Sequence, residues 1–85
     1  MGYEVVIKPS AKKSLDGMPA HAKARIVRGL EALAENPRHP GAIKLESEHD
    51  LYRVRIGSYR AIYTIEDDRL VVLVLKIGHR REVYR

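Results

Sequence analysis

The chain has 85 residues, a net charge of +5 and no cysteine. That length supports one domain around one modest core, and the absence of cysteine excludes a disulfide framework, a thiol nucleophile and a thiolate zinc site. The basic balance points to an anionic partner: nucleic acid, an acidic protein or a membrane surface. The longest apolar run, Leu70 to Leu75, is far too short to span a bilayer. The start Met1-Gly2-Tyr3-Glu4 lacks the features of a signal peptide or a myristoylation site. A soluble, cytoplasmic protein is expected, as one domain over residues 1–85.

Tyr3-Glu4-Val5-Val6-Ile7-Lys8 predicts a first strand, ended by Pro9, which has no amide proton to give a ladder. Ser10 is placed to cap a short helix carrying Ala11 and Leu15, with Lys12 and Lys13 facing out and Gly17 closing it. Pro19 suits the first position of the next helix. From Ala20 to about Glu35, Ile26, Leu30, Leu33 and Ala34 recur at helical spacing with Ala22 leading in. This stripe fits one helix packed on a sheet better than a partner-binding or membrane face. Two prolines and a glycine make Asn36 to Gly41 a loop. A short strand, Ala42-Ile43-Lys44-Leu45, precedes the polar turn Glu46 to Asp50.

Tyr52 to Tyr63 then predicts a β-hairpin. Gly57-Ser58 sits between two β-branched and aromatic runs, and glycine at the first central position is what a type II′ turn needs. That turn sets Ile56 against Tyr59, Arg55 against Arg60, Val54 against Ala61 and Tyr52 against Tyr63. Period-two alternation puts Arg53, Arg55 and Arg60 on one face, and Tyr52, Val54, Ile56, Tyr59, Ala61 and Tyr63 on the other, which reads as core. Like charges directly opposite each other cost about 0.2–1 kcal/mol, so Arg55 against Arg60 either splays into water or holds an anion. Glu66 to Arg69 is the next turn, and Leu70 to Leu75 predicts a central strand covered on both faces. The order β-α-α-β-β-β-β gives an α+β domain: a mostly antiparallel twisted sheet with both helices on one side.

A second basic cluster, His79, Arg80, Arg81 and Arg85, lies beyond that strand. If it meets the hairpin arginines, the site combines guanidiniums with an imidazole and the Tyr84 phenol. Guanidiniums bind phosphate bidentately and keep their charge, and tyrosine offers a stacking platform for a base. RNA suits such a site, because its 2′-hydroxyl is a built-in nucleophile and the protein need only position and neutralise. A solvated basic tail that docks an acidic partner is the competing reading. The four histidines are scattered without a carboxylate cluster, so no metal site is expected. Neither a Gly-rich phosphate loop nor an activated serine is present.

The segments Leu51 to Tyr63 and Val74 to Tyr84, with the loop Glu35-Asn36-Pro37-Arg38, resemble the RelE/ParE superfamily of bacterial toxins, and within it the RelE-type ribosome-dependent mRNA interferases. The resemblance implies cleavage of mRNA in the ribosomal A site by 2′-hydroxyl attack on the adjacent phosphate, with no metal or cofactor. It also implies a cognate RelB-like antitoxin as partner. By the same resemblance, Arg60 stabilises the transition state, Arg80 contacts the phosphate and assists the leaving group, and Tyr84 stacks on a base. Arg53 and Arg55 stand where well-studied relatives carry lysines, and with Arg81 they are assigned to substrate binding. Arginine does not serve as a general base. The proton is therefore assigned to His79 or Tyr84, histidine being the side-chain type suited to neutral-pH transfer. The helix that some relatives carry after this point is expected to be absent, since the sequence ends one residue past Tyr84. Two further readings stay open: a ParE-like inhibitor of DNA gyrase, and a catalytically weak RNA- or antitoxin-binding module.

Overall fold

The computed structural model describes residues 2–45 and 51–79. The chain runs β1 (Glu4–Ile7), α1 (Pro9–Asp16), α2 (Ala20–Glu35), β2 (Ala42–Lys44), β3 (Leu51–Ile56), β4 (Tyr59–Glu66) and β5 (Val71–His79). These strands form one sheet in the order β1-β5-β4-β3-β2. Strand β1 lies parallel to its neighbour, β5; the other pairs are antiparallel. The expected α+β architecture and element order are what the chain adopts.

The core lies between the helices and one face of the sheet. Ala11 and Leu15 of α1 and Ile26, Leu30 and Leu33 of α2 meet Val54, Ala61, Tyr63, Ile65, Val72, Val74 and Ile77. Tyr63 is the bulkiest fully enclosed side chain among the described residues, and its hydroxyl donates to the Pro37 carbonyl at 2.7 Å. Burial pushes the Tyr63 phenol up to about 12, with Tyr52 beside it adding to the shift. A buried hydroxyl needs that partner, because an unpaired one is costly.

Several local expectations are corrected. Pro9 opens α1 and Lys8 stands at its cap, without a side-chain cap bond; Ser10 lies inside the helix. Pro19 is the cap of α2, one position before the first helical residue. Leu70 is not in a strand: it sits in the preceding turn at φ 54°, nearly half exposed. Nor is β5 covered on both faces. Val72 and Val74 are buried, but Val71, Leu73 and Leu75 are half-exposed on a sheet that carries helices on one side only.

The β4–β5 ladder contains one irregularity. Ile62 pairs with Lys76 while Tyr63 pairs with Val74, so Leu75 is an extra residue on β5. Strict alternation from Val74 would turn Lys76 into the core; the bulge re-phases the strand. Ile77 is buried and Lys76 exposed as a result. The same re-phasing sets Gly78 opposite Arg60 and His79 opposite Tyr59.

Candidate functional site: an arginine cleft on the open face of the sheet

The hairpin β3–β4 forms in the expected register. Ile56 pairs with Tyr59, Arg55 with Arg60, Val54 with Ala61 and Tyr52 with Tyr63. Gly57 has φ +61° and Ser58 has no positive φ, as a type II′ turn requires. Contacts at two glycines join this hairpin to α2, the one at Gly29 too tight for a side chain and the one at Gly57 of ordinary van der Waals length. A Cβ on Gly29 would lie 2.6 Å from Ile56 Cδ1, and the Arg25 guanidinium lies 3.5 Å from a Cβ built on Gly57.

Because side chains alternate, the hairpin buries one row and leaves its arginine row on the face without helices. Arg53, Arg55 and Arg60 line a cleft of about 580 Å³ together with Pro40, Gly41, Ile43 and Gly57. Ile43 of β2 pairs with Arg53 and flanks it. Arg55 is exposed and turns its Nε toward the Gly57 carbonyl at 3.5 Å, whereas Arg53 and Arg60 are half-buried. Among the described residues no carboxylate lines the cleft. Three guanidiniums on one wall create a strong preference for an anion with several oxygens, such as a phosphodiester.

The opposite wall comes from the loop after α2, and it is fixed by contacts that sequence reasoning did not identify. Arg38 holds Asp67 bidentately, Nη1 to Oδ1 at 3.0 Å and Nη2 to Oδ2 at 2.8 Å. Its Nε donates to the Tyr52 hydroxyl at 3.2 Å. The Tyr3 hydroxyl also donates to Asp67 Oδ1, at 2.7 Å. The Arg38 guanidinium and then the Tyr3 hydroxyl pull the Asp67 carboxyl down to about 2. The same contact with Asp67 raises the Tyr3 phenol. Tyr63 pins Pro37 from below, and the Gly41 amide donates to His39 Nδ1 at 2.9 Å. Pro40 and Gly41 are thereby presented to the cleft. The sequence signal for this wall was a proline-rich loop carrying an arginine, which does not disclose a partner 29 residues away.

Of the residues singled out from sequence, Arg53, Arg55 and Arg60 are brought together. His79 is not with them. It pairs with Tyr59 on the helix side of the sheet, the two rings edge-to-face at 5.9 Å. Arg80, Arg81 and Tyr84 lie outside the described residues. Among the described residues no group of three His, Cys, Asp or Glu side chains is placed to hold a metal ion. None of the described helices is long and apolar enough to cross a membrane.

Two helices on one side of a five-stranded mixed sheet match the fold of solved RelE toxins. One chain of the toxin-antitoxin complex RelBE2 from Mycobacterium tuberculosis superposes with a TM-score of 0.85 at 27% identity, covering 94% of this chain and 100% of that one. A chain of the archaeal RelE-RelB complex from Pyrococcus horikoshii OT3 does so with a TM-score of 0.80 at 34% identity, over 94% and 97% of the two chains. The mRNA interferase toxin RelE of Escherichia coli K12 is 30% identical over 88 residues, spanning 99% of this chain and 92% of that protein. The family profile described as ParE toxin of type II toxin-antitoxin system, parDE, matches residues 5–84. The chain belongs to the RelE/ParE family of toxins of type II toxin–antitoxin systems.

Proposed function

We propose that this toxin is an endoribonuclease that cleaves mRNA in the A site of the ribosome. The observation that carries the reading is the convergence of Arg53, Arg55 and Arg60 on one cleft with no carboxylate among its described lining residues. The name of the 30%-identical relative from Escherichia coli, an mRNA interferase, supports it.

In this mechanism the substrate supplies its own nucleophile. The 2′-hydroxyl attacks the adjacent phosphorus, the P–O5′ bond breaks, and the products are a 2′,3′-cyclic phosphate and a 5′-hydroxyl end. The protein aligns the 2′-oxygen with the leaving oxygen and neutralises charge on the phosphorane as it forms. Arg60 faces the developing charge from a strand in the middle of the sheet, held by ladders on both sides. Arg53 and Arg55 hold the flanking phosphate oxygens. Arg80, Arg81 and Tyr84 complete the site in this reading, Arg80 at the leaving group and Tyr84 against a base. Of the two proton-handling candidates, Tyr84 is favoured, because His79 opens onto the helix side of the sheet. No metal or cofactor enters any step. The partner is a RelB-like antitoxin, a reading supported by the similar toxins being seen in RelB complexes.

The test is primer extension on a defined mRNA, programmed on ribosomes with an open A site. Cleavage inside the A-site codon, absent without ribosomes and lost in Arg60→Ala, is the expected result. A second reading, inhibition of DNA gyrase without chemistry, draws on the ParE description of the matching family. Intact mRNA in every arm together with blocked supercoiling would establish that reading instead.

A further inference from the structure

The hairpin tip has two basic sides. Behind the arginine cleft, on the helix side, lies a second cleft of about 320 Å³ lined by His21, Ala22, Arg25, Ile56, Gly57, Ser58, Tyr59 and His79. Gly57 lines both. The second cleft collects one guanidinium, two imidazoles, a phenol and a hydroxyl from separate parts of the fold, and no carboxylate is among its described lining residues. The Arg25 guanidinium lies over the Gly57 turn, 3.5 Å from where a Cβ would stand. His21 stands one helical turn before Arg25 on the same side of α2, and His79 and Tyr59 close the other wall as a cross-strand pair.

Charge segregation across the molecule points the same way. Lys12 and Lys23 are matched with Asp16, Arg38 with Asp67 and Arg69 with Glu66. Among the described residues no carboxylate pairs with Arg25. Asp16, Glu66 and Asp67 are thus each engaged by a cation that lines neither cleft. We propose that the helix-side cleft is a second RNA-phosphate site, so that the hairpin tip is gripped by RNA backbone on both faces. It rests on the reading of the front cleft as an RNA site for the identity of the ligand, and on its own geometry for the anion chemistry. The phosphate comes either from the substrate strand continuing around the tip or from a second RNA strand.

The experiment is an amide chemical-shift titration of the ¹⁵N-labelled protein, which reads binding without cleavage. The probes are inorganic phosphate, 2′-O-methyl RNA of four and of twelve nucleotides, and poly-glutamate. Phosphate and RNA are expected to move the amides of Ala22, Arg25, Ser58 and His79 in addition to those of Arg53, Arg55 and Arg60. In His21→Gln/Arg25→Gln, both exposed positions, the helix-side shifts disappear and the front shifts persist. Affinity for the twelve-mer falls about three- to tenfold, and the slope of log Kd against log salt shrinks by about one. A twelve-mer that fills both clefts at one per protein identifies the substrate strand; one that does so only at two per protein identifies a second strand. Shifts confined to the arginine face overturn the proposal, as do helix-side shifts that survive the double substitution. Poly-glutamate moving these amides where RNA does not overturns it in favour of an acidic protein. Because cleavage is not read, loss of ribonuclease activity and failure of this site give different results.

Discussion

Arg60 is the residue on which the proposed chemistry turns. It is half-buried, with its Nε sealed from solvent, on a strand with neighbours on both sides. A guanidinium held in this way is preorganised, and removing one such donor to a transition-state anion costs about 10²–10³ in rate. Arg60→Ala is therefore expected to lower single-turnover cleavage on ribosomes by about that factor, with antitoxin binding as the control for folding. Arg55 is exposed, and in the proposed mechanism it holds ground-state phosphate. Arg55→Ala should weaken RNA affinity and reduce the salt slope by about one, leaving cleavage at saturation much less affected. His79→Gln should retain single-turnover cleavage at saturating substrate across neutral pH, since the imidazole lies across the sheet from the arginine cleft. Loss of cleavage in that variant would return the proton to His79.

At the scale of elements, the hairpin depends on its seat on α2. Gly29 lets Ile56 pack within 2.6 Å of where a Cβ would stand. Gly29→Ala must push β3 away or rotate Ile56, an overpacking that costs about 1–3 kcal/mol. It should lower Tm and weaken RNA binding together, read by calorimetry and titration. Within the same layer, Tyr63→Phe removes the donor to the Pro37 carbonyl, an expected loss of about 0.5–1.5 kcal/mol. The loop wall at Pro40 and Gly41 then loosens without any change in an arginine.

Across the whole molecule, the Arg38–Asp67 clamp joins the loop after α2 to the β4–β5 turn and, through Tyr3, to the N-terminal strand. Asp67 is held ionised down to about 2 in the folded protein, below the usual carboxylate range. The unfolded chain therefore takes up its proton first as acid is added. The stabilisation is fully present above about pH 4 and is lost as pH falls through about 2. Both partners are largely exposed, so the effect is modest and weakens with salt. Urea unfolding between pH 5 and 2 should show a shallower acid loss in Asp67→Asn than in the parent chain; identical slopes would mean that the clamp contributes nothing.

Much of this architecture was legible from one dimension. Element order, the core stripe of α2, the hairpin register and the shared face of Arg53, Arg55 and Arg60 all follow from local periodicity and one turn glycine, because turn geometry propagates register along both strands. The Leu75 bulge was not legible: a run of β-branched residues carries no mark of where the phase slips, and the slip decides that His79 leaves the arginine face. The parallel pairing of β1 with β5 and the Arg38–Asp67 clamp join residues far apart in the chain, and no spacing rule reaches that distance. The second basic cleft was hidden for the same reason, since His21 and Arg25 on a helix and His79 at a strand end become neighbours only when α2 settles on the hairpin. Sequence by itself determined the elements, the turn and the arginine row, because those are set by neighbours within a few residues. Tertiary structure alone decided that His79 faces the helix side and meets His21 and Arg25 there, because that depends on packing between elements and on one irregular residue in a ladder.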